Sequence, residues 1–329
     1  MASHQRSSVF HQRGWLEAMA RTYGYEPLVI TSARDSEPLS DGIVLCRVSS
    51  WITGTRWVSL PFSDHCDPLI EDRQSWPDFA EKLRSECDQQ RLRYVELRPR
   101  QEFGISELGF KPSRSYCLHE LDLHGDLKQI FSGFHKQCIQ RKIRRAEREH
   151  LTYENGNSKQ VTDEFYRLVL LTRKRHGLLP QPRLWFQNLI ECMGKNVQIS
   201  IARKDGRPVA GLLCLRHRTT VVYKYGASDN KFHPLGGMPF LFWRLIEESK
   251  AAGAVTLDLG RSDLDQVGLV TFKDRLGADR KSLLYYRYPE TSLQAGVLPK
   301  SGGRIRTLAG LLPGALSSFC GRMLYRHIG

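Results

Sequence analysis

The sequence predicts an α/β (α+β) fold of two tandem domains, each a mixed sheet flanked by helices. Stretches with apolar residues at a 3.6-residue period alternate with short runs rich in β-branched and aromatic residues. The order of strand, glycine-bearing connection and strand is met twice along the chain. A length of 329 residues suits two domains and can bury one or two real cores.

Phe10, Trp15, Leu16, Met19, Ala20 and Tyr23 fall near a helical period, so residues 9–23 are expected to form an amphipathic helix that Gly24 and Pro27 end. Residues 42–49 and 56–60 read as strands. Residues 76–91 read as a helix, with Phe79, Leu83 and Cys87 four apart, and 93–98 and 115–123 as strands. A helix over 126–149, in two parts around Gly133, opens the second half. Helices at 161–176 and 183–193 follow, then strands at 197–203, 208–216 and 219–226. Lys204-Asp205-Gly206-Arg207 is the turn between the first two of these strands. A helix at 238–252 and strands at 254–259 and 282–288 complete the pattern.

The halves read as a duplication. The strand ending near Leu97 is followed by Leu108-Gly109-Phe110 and a strand from Ser115. The strand ending near Leu259 is followed by Leu276-Gly277-Ala278 and a strand from Ser282. Domains are therefore expected at 1–122 and 123–290. A separate tail, 291–329, carries five basic residues, no acid, and an apolar side interrupted by glycines and Pro313.

The net charge of +14 is unevenly placed. Residues 1–160 hold 23 basic and 22 acidic side chains, whereas 161–329 hold 26 and 13. A basic second half suits an anionic partner: a phosphate-bearing donor, nucleic acid or anionic lipid. The N-terminus shows no apolar signal segment, and no run approaches the length of a membrane span. A cytoplasmic location is expected, with the basic segment 304–329 as a peripheral contact for the inner membrane. None of the eight cysteines forms a C-x-x-C pair, so no metal site is expected and the thiols are expected to be reduced and mostly buried. His65 and His176 are possible bases, but no Ser/His/Asp or Cys/His spacing supports covalent catalysis, and the His65-Cys66 dipeptide reads as a plain loop.

The most informative stretch is 219–262, a strand, a Gly/Pro loop, a helix and a second strand. His233, Pro234, Leu235, Gly236 and Gly237 stand immediately before the helix. Glycines there allow close backbone approach, and a helix N-terminus favours an anion. The pattern resembles the pyrophosphate loop of GNAT N-acyltransferases, usually R/Q-x-x-G-x-G/A. His233 stands near the Arg/Gln place, and the second glycine is adjacent rather than one apart. The resemblance implies acyl-CoA as donor, held by His233, Leu235, Gly236, Gly237 and Met238.

A second stretch makes the resemblance more specific. Asp258-Leu259-Gly260-Arg261-Ser262, Gly268-Leu269, Phe272-Lys273 and Leu276-Gly277 are similar to the closing motif of FemAB-like acyltransferases. The closest likeness is to the FemAB-related group associated with exosortase (PEP-CTERM) systems, with its BioF-like acetyltransferase domain. Leu60-Pro61-Phe62-Ser63-Asp64, the basic helix from Arg141 to Glu147, and the tail Leu312-Pro313…Arg326-His327-Ile328-Gly329 agree, so the likeness covers most of the chain.

It implies two GNAT-like domains and an acyl transfer from a thioester donor to an amine or hydroxyl of a cell-envelope or exopolysaccharide precursor. The role of the family's Phe-Lys pair carries onto Phe272 and Lys273, with Lys273 stabilising developing negative charge. Arg261 reads equally as an anion clamp or as a salt-bridge partner. Asp258 reads equally as a base or as a structural cap at a strand end. Arg141, Arg144 and Arg145, at spacings of three and four on one helix, read as a solvated face or as a contact for a phosphate-rich substrate. Tyr225 reads as a pocket wall.

Two other functions stay open. One is an aminoacyl-tRNA-dependent peptidyltransferase of the Fem type, although no sustained heptad run provides the long coiled-coil arm such enzymes often carry. The other is a non-catalytic nucleic-acid-binding protein, although no RRM, KH, helix-turn-helix or zinc-finger signature is present.

Overall fold

The first helical period folds as α1 (Arg13–Tyr23), which buries Trp15, Ala18, Met19, Thr22 and Tyr23. Gly24 closes it in the left-handed region at φ 72°, where its N–H reaches the carbonyl of Ala20. The computed structural model describes residues 4–34, 39, 41–102, 104–290, 321 and 323–327. In chain order, α1 is followed by β1 (Glu26–Ile30), β2 (Ile43–Val48), β3 (Arg56–Val58), α2 (Trp76–Gln89), β4 (Val95–Leu97) and β5 (Lys111–Asp122). Then come α3 (Leu127–Gly133), α4 (Arg141–Arg148), β6 (Thr152–Gly156), α5 (Lys159–Arg175) and α6 (Arg183–Met193). The chain ends its regular structure with β7 (Val197–Lys204), β8 (Arg207–His217), β9 (Thr220–Ser228), α7 (Gly237–Ala251), β10 (Thr256–Asp263), α8 (Val267–Arg275) and β11 (Asp279–Tyr288).

Two compact units result, each with a mixed sheet flanked by helices. The first holds the described residues through Tyr116 and those from Ser282 on, and the second holds Cys117–Lys281. In the first unit the strands run β1-β2-β3-β4-β11-β5. β3 and β4 are parallel, while β1–β2, β2–β3 and β4–β11 are antiparallel. Trp57, Val95, Leu97 and Tyr286 share a core with Phe79, Ala80, Leu83 and Cys87 of α2. Period-two alternation therefore turns Arg56, Glu96 and Arg287 to the opposite face.

In the second unit the strands run β10-β9-β8-β7-β6. The Asp205-Gly206 turn has φ 49° and 76°, both positive as a tight hairpin of this type requires. Leu212 and Cys214 of β8 pack in one core with Ile143 and Ala146 of α4 and with Phe240, Leu241, Leu245 and Ile246 of α7. Gly211 lies on the other face of β8 under α5, where a Cβ would stand 2.8 Å from the ring of Phe165. Glu248 anchors α7 by accepting hydrogen bonds from Tyr153 (2.7 Å), Asn155 (2.7 Å) and Gln198 (2.8 Å).

Three elements are absent from the sequence reading. β1 tolerates Pro27 because it is an edge strand. β6 is polar and half-exposed, and its strand form comes from pairing with β7. α8 buries only Val270 and Lys273, so no apolar stripe announces it. The helix expected over 126–149 is α3, one π-turn at Lys136–Gln140, and α4. β10 runs to Asp263 rather than ending near 259, so Asp258 sits inside a strand and not at its end. Of the basic tail expected at 291–329, Gly321 and residues 323–327 are described, and the rest lies outside the described residues. Tyr325 and His327 pack on the first unit, where the carbonyl of Tyr325 accepts from Tyr25 (2.5 Å) and that of His327 accepts from Arg56 and Thr53 (2.9 Å each). Among the described residues no helix is long and apolar enough to cross a membrane.

Candidate active site

β9 and β10 are parallel, but they pair only from Thr220–Thr256 to Val222–Asp258. Beyond that point both strands continue without pairing to each other. On its other edge β9 carries a bulge, because Leu213 and Cys214 of β8 stand opposite Tyr225 and Tyr223, leaving Lys224 as the extra residue. A bulge sharpens local twist and bends the strand that carries it. The bend parts β9 from β10 and leaves main-chain donors and acceptors along the opening, where an extended ligand can pair with them.

The Gly/Pro loop closes one end of this opening. After Ser228 the chain makes a short 3₁₀ turn from Asn230 to Leu235, reverses at Gly236, and enters α7 at Gly237. Gly236 has φ 81°, and a Cβ there would fall 2.3 Å from the carbonyl oxygen of Lys142. Both facts require glycine. Gly237 packs against Ala210, and Leu235 and Met238 rest partly buried on the α7 core. The loop thus presents the first N–H groups of a fifteen-residue helix, a favourable setting for an anion.

His233 shares a hydrogen bond with the Ser228 hydroxyl (Nε2 to Oγ, 2.9 Å). Desolvation pushes its pKa below the ordinary histidine value, and the charges of Arg175 and Lys142 push the same way. Arg175 donates to the Ser228 carbonyl (3.1 Å), as does the Thr172 hydroxyl (3.2 Å). Lys142, Thr172, Arg175 and Ser228 were not singled out from the sequence as loop partners. They come from α4, α5 and β9, and no spacing along the chain links them.

The second motif forms a clamp around Gly260. Asp258 is 2 % exposed, and its carboxylate accepts the Gly260 N–H at 2.7 Å. Lys273 is also 2 % exposed, and its ammonium donates to the carbonyls of Gly260 (2.8 Å) and Arg261 (3.2 Å). Gly260 itself stands at φ 69°, an irregularity inside β10 that the two charged groups grip from both sides. Asp258 thereby does the work of a local backbone acceptor. Arg261, next along, is half-buried. Phe272 meets Phe242 (ring centroids 5.5 Å apart), which meets Tyr223 (4.9 Å), so Phe272 belongs to the core wall.

His119, also missed from the sequence, lies fully buried in the same unit. Its Nε2 meets Asp274 at 3.0 Å, beside Lys273 in sequence, and burial pushes its pKa down. Tyr225 accepts from the Trp185 indole (2.9 Å) and packs edge-on against Phe186 (5.3 Å). The three arginines of α4 are exposed. Arg141 reaches Gln137, Arg144 lies over Phe131 and Arg145 pairs with Glu149. Their helix is nonetheless the one that supplies the Lys142 carbonyl under Gly236.

Covalent chemistry at Cys66 finds no support. The nearest histidine is His11 (Sγ to Nε2, 3.3 Å) rather than His65. Burial pushes the thiol up to about 12 and the His11 imidazole down to about 4, so both are neutral near pH 7 and poorly suited to thiolate formation. The seven described cysteines are free, and no described group of His, Cys, Asp and Glu could hold a metal ion.

Residues 134–273 match the acetyltransferase (GNAT) domain family. The chain carries a GNAT-type acyltransferase domain. The match spans the Gly236 loop, the parted strands and Lys273. Over 88 residues the chain is 26% identical to UDP-N-acetylmuramoylpentapeptide-lysine N(6)-alanyltransferase of Weissella viridescens. That stretch is 26% of this chain and 26% of the relative, so the likeness spans about a quarter of that protein. Among solved structures, FemX superposes with a TM-score of 0.68 at 15% identity, covering 87% of this chain and 93% of FemX. L-PGS from Bacillus licheniformis superposes at 0.57 and 17% identity, covering 86% and 94%. At such identities the likeness is one of fold, and it extends well beyond the GNAT domain itself.

Proposed function

We propose that the protein transfers an acyl group from a phosphate-bearing thioester, acyl-CoA, to an amine or hydroxyl of a cell-envelope or exopolysaccharide precursor. The observation that carries this reading is the opening between β9 and β10, closed by the Gly236 turn at the start of α7. Coenzyme A has a diphosphate at one end of an extended arm with two amides. The helix N-terminus suits the diphosphate, and the unpaired strand edges suit the amides. The thioester end would then approach the Gly260 region, where Lys273 supplies a fixed cation for the oxyanion of acyl transfer. Direct attack in a ternary complex needs no covalent enzyme intermediate. Arg261 and the α4 arginines Arg141, Arg144 and Arg145 are assigned to the anionic parts of the substrates. The likeness of the Asp258–Gly277 motif to the exosortase-associated group supports an acceptor from envelope polysaccharide chemistry and a cytoplasmic site of action at the inner membrane.

A second reading has its own support. The Weissella relative is named as an alanyltransferase acting on a UDP-linked precursor, which favours a Fem-type transfer from aminoacyl-tRNA. Thermal-shift titration with acetyl-CoA, longer acyl-CoAs, free coenzyme A and aminoacyl-tRNA separates the two. Stabilisation by a coenzyme A thioester, weakened at least about tenfold by Gly236→Ala, is the expected result. The positive φ and the contact with Lys142 make any side chain there displace the loop. A response to aminoacyl-tRNA alone would transfer the assignment to the second reading.

A further inference from the structure

Hairpin tips are mostly polar, because they run over the surface and meet water. The tip between β2 and β3 of the first unit is built the other way round. Trp51 and Ile52 stand out from it, 88 and 55 % exposed. The other five tryptophans of the chain are buried or half-buried, which sets Trp51 apart. The backbone of the tip is held from inside. The Ser50 hydroxyl accepts the N–H groups of Ile52 (3.1 Å) and Thr53 (2.9 Å), and the Ser50 carbonyl accepts that of Gly54 (2.8 Å). Arg93 donates to the Thr53 carbonyl (2.8 Å). With these polar groups satisfied within the protein, the tip presents its two apolar side chains on a fixed frame.

The helical turn at 323–327 packs against the same tip. The His327 imidazole shares a hydrogen bond with the Ser50 hydroxyl (3.0 Å) and meets the Trp51 ring edge-on (5.8 Å between centroids). The His327 carbonyl accepts from Thr53 (2.9 Å). One turn back, four and three residues before His327, stand Met323 and Leu324, 52 and 37 % exposed. Four of the ten large apolar side chains exposed among the described residues therefore come from two segments in contact. Charge completes the pattern. Residues 42–63 contain no acid, and 291–329 contain no acid and five basic residues, of which Arg326 is exposed beside Tyr325.

Apolar side chains held out in water cost free energy that burial recovers. A tryptophan ring favours the boundary between water and lipid headgroups, where its body is buried and its N–H stays wet. Basic, acid-free sequence beside it favours anionic headgroups. We propose that the Trp51-Ile52 tip and the adjoining Met323-Leu324 face rest together on an anionic lipid surface. Composition alone points only to 304–329 as a lipid contact; folding adds to it a hairpin tip from the other end of the chain. The inference gives a surface to the action at the inner membrane proposed above and rests on that part of the reading. It does not rest on the identity of the acyl donor, since Trp51 and the 323–327 turn lie outside the GNAT domain.

Cosedimentation of the full chain with phosphatidylcholine vesicles, with and without phosphatidylglycerol, tests it. Binding is expected on the vesicles with phosphatidylglycerol and to be poor on phosphatidylcholine alone. Trp51→Ser should weaken it at least about fivefold, and Arg326→Gln about fivefold. Brominated phosphatidylcholine in the same vesicles should quench tryptophan fluorescence, and Trp51→Phe should abolish that quenching, because the other five indoles are buried or half-buried. If Trp51→Ser fails to fold, Ile52→Ser carries the same comparison. Absence of vesicle binding, or binding unchanged in the folded Trp51→Ser and Ile52→Ser variants, would overturn the proposal. So would a dimer in sedimentation velocity that Trp51→Ser dissolves, since the patch would then be an interface between copies of this chain. Binding of a coenzyme A thioester, measured on the same variants, separates the two readings. If it is kept while vesicles are not bound, the lipid surface falls and the acyltransferase reading stands; the reverse result spares the surface and removes the donor.

Discussion

Lys273 is the residue on which the proposed chemistry turns. Its ammonium is buried and holds two carbonyls at the Gly260 irregularity, so it both shapes the end of β10 and places a positive charge there. Lys273→Met removes the charge while keeping much of the side-chain volume. We expect kcat to fall about 10²–10³-fold, with donor affinity within about twofold in steady-state and equilibrium binding measurements. Equal loss of both would reduce Lys273 to a structural tie. His233 yields a pH prediction. Its folded pKa is depressed, so the unfolded chain binds the proton more readily, and this contribution to stability is complete above pH ~6.5. It is lost as pH falls from there toward the folded value. A bound diphosphate favours the protonated ring, so donor affinity should rise over the same descending window. His233→Gln should flatten both profiles in binding and urea-midpoint measurements taken between pH 7.5 and 5.5.

Among the elements, β8 and β9 show how packing and function divide the two faces of a strand pair. Gly211 admits the Phe165 ring of α5 on one face, while Leu212 and Cys214 join α7 on the other. Gly211→Ala has ordinary strand dihedrals and nowhere to put its methyl group. A destabilisation of about 1–3 kcal/mol by chemical denaturation is expected, without loss of donor binding per folded molecule. Gly236→Ala should behave in the opposite sense, because its contact is with the Lys142 carbonyl at the mouth of the site. A pair of variants that each add one methyl group therefore separates scaffold from site. Failure of Gly236→Ala to lower donor affinity more than Gly211→Ala would remove the loop from the binding machinery.

For the whole molecule, the +14 charge acts at two levels. Exposed basic residues, such as those of α4, attract any polyanion at low salt. Generic RNA binding should therefore be measurable at 50 mM salt and fall by about 10³-fold or more by 200 mM if six or more phosphates are neutralised. Binding of a coenzyme A thioester at the proposed loop should fall much less, because backbone N–H groups as well as charge would meet its diphosphate. RNA binding that survived 200 mM salt without any coenzyme A response would favour the nucleic-acid reading.

Periodicity and composition were enough to read the α/β class, most helices and strands, the Asp205-Gly206 hairpin, and the loop at His233–Gly237. These signals are local: a 3.6 or 2.0 repeat, or a glycine where the chain must reverse, depends on neighbours within a few residues. The polar edge strand β6 and the stripe-less helix α8 escaped because the first is held by its partner strand and the second buries only Val270 and Lys273, and neither leaves a period. Lys142 beneath Gly236, Arg175 beside His233, and Lys273 at the Gly260 carbonyl meet only through folding. Arg287 and Glu96 are 191 residues apart and become partners through the β4–β11 register. Residue order along a strand decides which face a side chain takes. Which strand lies beside it, and so whether a buried charge meets a carboxylate or another arginine, is set by pairing across the sheet.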